Sequence, residues 1–423
     1  METLLAIGIA MAAGLLVSRF VKLLKLPAVT GYLIAGILIG PYCLGQLGIE
    51  GLGFVTNESV KANGIICDVA LGFIAFAIGN EFRLSQIKSI GKQAAVIGVF
   101  QALVATVAVD LALLAIHFIV PDKLSASAAI TLGAIATATA PAATLMVVRQ
   151  YKAKGKLTDL LLPIVAIDDA VGLIVFAVSF GIAKALESGS ISAVSVIVEP
   201  VLEVIFSLVL GTVMGILFSA AEKFFKSNSK RLILSITFVI LTVALAMIKI
   251  KIGEVTVGFS SLLVCMMLGT VFCNVCDFSG EIMEKTDKWT APLFLLFFVL
   301  SGAELEFDIF GDIAVVLIGL VYIITRAAGK YFGAGISARF MKCDPKIVKY
   351  LGITLLPQAG VALGMSVTAQ SLGGSGPLIR NITLFAVLIY ELIGPMFTKI
   401  ALTKSGDIVP KAAAVKESDE DKD

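Results

Sequence analysis

Long apolar blocks alternate with short polar segments along nearly the whole chain. The apolar blocks run for roughly 20–30 residues, which is enough for a helix to cross about 30 Å of membrane hydrocarbon. The polar segments divide the chain into about thirteen predicted helices, near residues 3–21, 27–44, 63–80, 90–118, 124–148, 157–186, 193–221, 230–250, 255–275, 287–303, 311–339, 346–370 and 378–402. The pattern therefore predicts an all-α polytopic membrane protein.

The amino-acid composition agrees with this fold class and excludes a soluble globular domain. Hydrophobic residues make up 58% of the 423 residues and charged residues only 15%, whereas soluble domains are about 45–50% apolar and about 25% charged. We expect the lipid bilayer, and no nucleic acid, as a partner, and we predict no cofactor.

Basic residues are concentrated in alternate loops, and this predicts the orientation of the chain. One set of loops and helix ends carries 20 Lys and Arg residues and the opposite set carries 6. The excess of basic residues marks the cytoplasmic side. The protein is therefore predicted to lie in the cell membrane (the inner membrane), with its N-terminus on the outer side and its C-terminus in the cytoplasm. Residues 403–423 are polar and predict a short, disordered cytoplasmic tail.

An internal repeat relates the two halves of the chain. The segment GFIAFAIGNEF at residues 72–82 resembles LLFFVLSGAEL at 295–305, and a similar shift brings ATATAPAATL near LLPQAGVALG. In helix number the shift is seven, so helices 1–6 correspond to helices 8–13. An odd shift inverts the second copy, and inverted repeats are typical of transporters. The predicted membrane domain, 1–402, comprises repeat 1 at about 1–186, a linker helix at about 193–221 and repeat 2 at about 230–402.

Helices 5 and 12 occupy matching positions in the two repeats, and both contain residues that interrupt a helix. Proline removes a backbone donor and clashes with the preceding turn, and non-helical backbone at membrane depth lines a cavity or is packed in protein. We expect the two helices to be unwound near mid-membrane and to cross there; two merely kinked helices are the alternative. The predicted unwound-helix site contains Thr137, Thr139, Ala140, Pro141, Pro357, Gln358 and Gly360.

Two adjacent carboxylates, Asp168 and Asp169, interrupt the apolar sequence of predicted helix 6. An Asp at the centre of a membrane helix costs about 2.5–3.5 kcal/mol, and such residues usually have a function. Neighbours on a helix point about 100° apart, so one carboxylate can face a fixed partner while the other faces a polar cavity. Arg326 is the predicted charge partner, and Lys330, one turn further along, is expected to extend towards the interface. A purely structural ion pair is the alternative.

Three other acidic residues occupy repeat-related positions. Glu81 matches Glu304 at the ends of helices 3 and 10, and both are expected to pair with loop backbone or basic residues. Glu391 falls near the position in repeat 2 that corresponds to the two aspartates, and we interpret it as part of a structural ion pair.

Several of these motifs together resemble one family of transporters. AIDDAVGLIVF, the interrupted TATAPAAT, IGNEF and TRAAGKYFGA are similar to segments of the monovalent cation:proton antiporter superfamily, especially its bacterial Nha-type and Kef-type members. The resemblance covers roughly residues 1–402. It implies a homodimer whose protomers each have a dimerisation domain and a mobile core domain with two crossed, broken helices.

The resemblance also implies roles for individual residues. Asp169 would be the main carrier of the proton and the cation, and Asp168 its salt-bridged neighbour. Asp168, Asp169 and Thr139, with nearby backbone, would supply oxygen ligands to the transported Na⁺. Arg326 stands where the electrogenic branch usually has Lys, which leaves the stoichiometry open.

The leading functional hypothesis is exchange of Na⁺ for H⁺ by alternating access, with electrogenic stoichiometry, and no enzyme activity. K⁺ or Li⁺ could replace Na⁺, because hard cations bind the same kinds of oxygen ligand. Sodium-coupled transport of an organic anion, on a similar inverted-repeat fold, is another alternative. An intramembrane aspartyl protease needs two aspartates that share a proton, from facing helices, whereas this pair lies on one helix. Inverted repeats that meet at broken helices favour a transporter over a channel.

Overall fold

The computed structural model describes residues 2–24, 26–49, 52–84, 91–187, 198–225, 227–252 and 255–408. The helices are α1 Glu2–Leu23, α2 Ala28–Ile39, α3 Asn57–Lys61, α4 Gly64–Asn80, α5 Lys92–Ile119, α6 Ala126–Ile135, α7 Pro141–Tyr151, α8 Lys156–Glu187, α9 Glu199–Glu222, α10 Asn228–Ala246, α11 Ser261–Val275, α12 Ser279–Ala303, α13 Ile313–Phe340, α14 Pro345–Thr354, α15 Gly360–Ala369 and α16 Gly376–Ser405. One antiparallel hairpin, β1 Ile250–Ile252 and β2 Val255–Val257, pairs Lys251 with Thr256. The protein is therefore an almost entirely helical membrane protein, as its sequence predicts.

Local sequence signals explain where several helices begin. Ser125, Asp312 and Asp344 each accept a hydrogen bond from a backbone N–H in the first turn of the following helix, at 3.0, 2.9 and 3.0 Å. Such side-chain caps satisfy N–H groups that have no partner inside the helix. These caps define the starts of α6, α13 and α14.

Eight of the described helical segments are long and apolar enough to cross a membrane by length and composition alone. Shorter apolar helices such as α4 and α11 lie among them. Each predicted helix falls on a described helix or, for the fifth and twelfth, on a pair of shorter helices separated by a break. The number of membrane crossings stays a prediction.

Several boundaries differ from the sequence prediction, among them the following three. Predicted helix 9 starts as strand β2, and its helix begins only after Ser260, which caps α11. Helix α12 begins eight residues before the predicted residue 287 because its polar first turns bury a face that includes Ile282 and Met283. At the C-terminal end α16 continues to Ser405 and Ile408 is buried in an apolar cluster. The predicted tail therefore begins too early; residues 409–423 lie outside the described chain.

Helix packing divides the described chain into two bundles. The first bundle contains α1, α2, α4 and α9–α12, and the second contains α5–α8 and α13–α16. Within each bundle the helices pack along much of their length, most of all α5 against α13, whereas the contacts between the bundles are sparse. Those contacts come mainly from α8 against α9, with smaller areas of α16 against α2 and of α15 against α4. Each bundle thus packs mainly within itself, although one buried apolar cluster contains residues of both.

Close helix crossings in the first bundle depend on glycine. A Cβ at Gly36 of α2 would lie 1.9 Å from the carbonyl oxygen of Val299 in α12, and a Cβ at Gly79 of α4 would lie 1.9 Å from that of Met266 in α11. Small residues allow membrane helices to approach this closely. The predicted repeat relates helices 2 and 3 to helices 9 and 10, and the inverted arrangement stays a prediction.

Candidate functional site

Two breaks in the helices of the second bundle meet at one point. Residues 136–140 separate α6 from α7, and residues 355–359 separate α14 from α15. The backbone N–H of Ala140 donates to the carbonyl oxygen of Pro357 at 2.9 Å. The two interruptions expected from the sequence are thus both present and in direct contact.

The residues within the breaks explain why the helices stop there. Pro357 has no N–H to continue α14, and Pro141 is the first residue of α7, where a missing N–H costs little. Gln358 holds the second break against the first by donating from its amide to the carbonyl oxygen of Ile135 at 3.0 Å. Gly360 starts α15.

Arg326 satisfies the carbonyl groups that the two breaks leave free. Its guanidinium donates to the carbonyl oxygens of Ala136 and Ala138 at 3.1 and 2.6 Å, and to that of Leu356 at 2.8 Å. The same group lies 4.5 Å from the ring centre of Tyr390. A planar fork with five donors is suited to such a set of acceptors. Arg326 therefore joins the two breaks and leaves the aspartates to another residue.

That residue is Lys330, and the prediction that Arg326 pairs with an aspartate is wrong for this structure. The Lys330 ammonium lies 2.7 Å from Oδ2 of Asp168, and both side chains are fully buried. Lys330 also donates to the hydroxyl of Thr139 at 3.0 Å and to the carbonyl oxygen of Thr137. The expectation that Lys330 extends to the interface is wrong as well, because it has partners at mid-helix.

Both carboxylate oxygens of Asp168 have partners, which come from three different side chains. Besides Lys330, Asp168 accepts hydrogen bonds from the hydroxyl of Thr139 and from the amide of Gln101, the latter at 2.5 Å. Gln101 lies on α5, is fully buried, and also donates to the carbonyl oxygen of Gly98 at 3.0 Å. Sequence reasoning missed Gln101, although an amide within an apolar membrane helix is a signal that could have found it.

Asp169 is buried like its neighbour but is not satisfied. Only 1% of the residue is exposed, and its Oδ1 has no hydrogen-bond partner in the part of the chain that the structure describes. Asp168, Glu81 and Lys330 lie within electrostatic reach of its carboxylate. The site therefore combines one carboxylate whose two oxygens both have donors with one that retains an unpartnered oxygen, which can take up a proton or bind a cation.

Two other acidic residues differ from their expected pairing. Glu391 is 1% exposed and its Oε1 has no partner, and it makes no ion pair with any described residue. The interpretation of Glu391 as a structural ion pair is therefore wrong within these ranges, because no described cation lies close enough to pair with it. Glu304 does pair with a basic residue, Arg380, at 2.9 Å.

Comparison with known proteins gives the family context of this site. The family described as transmembrane sodium/hydrogen exchangers matches residues 7–404. The Na⁺/H⁺ antiporter NhaS4 of Synechocystis sp. is 23% identical over 410 residues, which cover 93% of this chain and 95% of that protein.

Solved structures of the sodium proton antiporter MjNhaP1 of Methanocaldococcus jannaschii are similar in fold. A structure at pH 8 has a TM-score of 0.74 at 16% sequence identity and covers 96% of this chain and 99% of that one. An electron-microscopy structure has a TM-score of 0.67 at 17% identity, with 96% and 98% coverage.

Proposed function

Because the chain belongs to the family of transmembrane sodium/hydrogen exchangers, we propose that it exchanges Na⁺ for H⁺ with Asp169 as the carrier. The observation that carries this proposal is the contrast between the two adjacent carboxylates. Asp168 has three donors, whereas Oδ1 of the equally buried Asp169 has none among the described residues. Burying a carboxylate oxygen without a partner is costly, so Asp169 gains more than Asp168 from a proton or a cation.

The same few oxygens serve both transported species. Na⁺ is a hard cation that prefers carboxylate, hydroxyl and carbonyl oxygens. Asp169, Asp168 and Thr139 offer such oxygens at the crossing of the breaks, while Arg326 already occupies three of the nearby carbonyls. A cation and a proton thus compete for Asp169, and this competition makes the transport an exchange.

Lys330 bears on the stoichiometry. A cation that enters between the carboxylates competes with Lys330 for Oδ2 of Asp168, where the ion pair measures 2.7 Å. A buried lysine that is released from its ion pair can lose its proton, whereas an arginine stays charged. Loss of one proton at Asp169 and one at the Lys330–Asp168 pair would move two protons per Na⁺. We therefore propose electrogenic exchange.

Alternating access requires that the site open to one side at a time, and the division into two bundles supports such a movement. The second bundle carries both breaks and both aspartates, and it packs less extensively against the first bundle than within itself. We propose that the second bundle moves against the first within a homodimer in the cell membrane. The basic-residue pattern favours an external N-terminus and a cytoplasmic C-terminus.

Proteoliposomes with an internal pH-sensitive dye test the role of Asp169. Asp169→Asn is expected to abolish Na⁺-driven proton movement, because an amide does not ionise and therefore cannot exchange a proton for a cation. Glu391→Gln is the matched control, since Glu391 is another buried carboxylate with an unpartnered oxygen in the same bundle, and it should retain exchange. Exchange by Asp169→Asn near the wild-type rate would exclude Asp169 as the carrier.

The same vesicles separate the remaining alternatives. Na⁺, K⁺ and Li⁺ are offered in turn, and a response to K⁺ alone would favour K⁺/H⁺ exchange. Proton movement that needs an added organic anion would favour the coupled transporter. Clamping the voltage with valinomycin and K⁺ should change the rate and end-point of an electrogenic exchanger, and a lack of effect would make the exchange electroneutral.

A further inference from the structure

A group of polar contacts joins the two bundles at the end of α12. Oε2 of Glu304, in the first bundle, accepts hydrogen bonds from Nε of Arg380 at 2.9 Å and from the amide of Gln370 at 3.1 Å, both in the second bundle. The backbone N–H of Glu306 donates to Oδ1 of Asn381 at 2.7 Å. Three hydrogen bonds, one of them an ion pair, therefore cross the interface here; elsewhere Lys184 of α8 and Glu203 of α9 form a longer ion pair, at 3.8 Å.

The second bundle holds its side of this contact rigidly. Arg380 is 2% exposed, and its Nη1 donates to the carbonyl oxygen of Leu363 at 3.1 Å and to the hydroxyl of Ser366 at 2.7 Å. The guanidinium is thus fixed within the second bundle before it meets Glu304, whose side chain is 12% exposed. Hydrogen bonds between such charged, desolvated groups are stronger than neutral ones.

A cavity of about 120 Å³ lies beside the contact and does not include the aspartate site. Residues of both bundles line it, among them Asn57, Glu306 and Arg380. Nη2 of Arg380 and Oδ1 of Asn57 are buried without partners among the described residues. A polar cavity of this size has room for water. Water in it can therefore reach the polar groups of the contact when the bundles separate.

At the opposite end, no equivalent ion pair joins the bundles among the residues that the structure describes. Glu81 occupies the repeat position of Glu304, but it makes no ion pair with any residue in the described ranges. Arg83, two residues further on, donates instead to the hydroxyl of Ser279 at 3.0 Å, within the first bundle. Among the described residues the two glutamates therefore differ: Glu304 pairs with a residue of the other bundle and Glu81 does not.

We propose that Glu304, Arg380, Gln370 and Asn381 form a latch that closes this end of the interface and favours opening at the Glu81 end. The proposal rests on the proposed function in one respect, that the bundles separate during transport. The distribution of basic residues assigns the latch to the outer side. Hydrogen bonds to charged groups contribute enough that loss of the ion pair should shift the preference between the two states by roughly tenfold.

Glu304→Gln tests the latch because it removes the charge and keeps the shape. Glu306→Gln is the matched control, since this carboxylate lines the same cavity but, among the described residues, accepts one hydrogen bond, from Asn57 at 3.4 Å, and forms no ion pair. In the purified full-length protein, hydrogen–deuterium exchange of peptides covering 304–308 and 366–381 should rise in Glu304→Gln and stay unchanged in Glu306→Gln. Arg380→Lys, which keeps the charge and loses the fork, should give an intermediate rise.

Transport from each side gives a second readout. When only a fraction of the molecules is open to one side, the apparent affinity from that side falls by the same fraction. Glu304→Gln should therefore lower the KM for Na⁺ offered outside by up to roughly tenfold, without a comparable fall for Na⁺ offered inside.

Equal deuterium uptake and equal outer KM in Glu304→Gln and Glu306→Gln would overturn the latch. If the wild-type protein shows no cation-driven proton movement, the proposed function fails. The deuterium uptake of the two peptides still decides whether the ion pair holds the bundles together.

Discussion

Lys330→Gln is expected to destabilise the protein through the carboxylate that it leaves behind. The Lys330–Asp168 pair is fully buried, with 2.7 Å between its charged atoms. Removing one member of a buried ion pair costs about 3–5 kcal/mol, because the other charge stays buried without compensation. Asp168 would keep the hydrogen bonds from Gln101 and Thr139. We therefore expect a loss near the lower end, about 3 kcal/mol in the free energy of unfolding.

A double-mutant cycle isolates this interaction. Asp168→Asn removes the other charge, so the double variant with Lys330→Gln should lose much less than the sum of the two single changes. We expect a coupling free energy of about 2–3 kcal/mol. Equilibrium unfolding in mixed micelles of dodecyl maltoside and SDS, followed by the fluorescence of the single tryptophan, Trp289, measures each corner of the cycle.

A second cycle combines Asp168→Asn with Arg326→Gln. Arg326→Gln should also destabilise the protein, since three carbonyl oxygens lose a donor. Its effect should add to that of Asp168→Asn, with a coupling below about 1 kcal/mol, because the two side chains share no direct bond. A larger coupling for Arg326 than for Lys330 would refute this account of the site.

Two further predictions concern residues around this site. Gln101→Leu should slow exchange and move its pH profile, since it removes a donor to Asp168 at 2.5 Å; an unchanged profile in the vesicle assay would make Gln101 a packing residue only. Asp407→Ala should lower the free energy of unfolding by about 1–2 kcal/mol, because Asp407 accepts from both the N–H and the hydroxyl of Thr158 at 2.8 Å. The exposed cap Asp344→Ala should cost less, and equal losses in the micelle assay would contradict this reasoning.

The sequence by itself determined the fold class, the positions of the breaks and the unusual aspartates. Apolar blocks of membrane-spanning length admit little except helices, because lipid offers no partners to the backbone. Proline at Pro141 and Pro357 ends a helix whatever surrounds it. Asp168 and Asp169 are conspicuous because a carboxylate in an apolar block is costly. These signals are local, so they can be read without knowing the packing.

Only the tertiary structure decided which basic residue serves which partner. Arg326 and Lys330 are four residues apart and lie on the same face of α13, so the sequence cannot tell which of them reaches the aspartates. Which residue reaches the aspartates depends on the position along α13 at which the two breaks pack against it. In the structure Arg326 lies beside the carbonyl oxygens of the breaks and Lys330 beside Asp168. Gln101 meets Asp168 across a gap of 67 residues in sequence. Such pairings arise from the relative heights of packed helices, which no local pattern encodes.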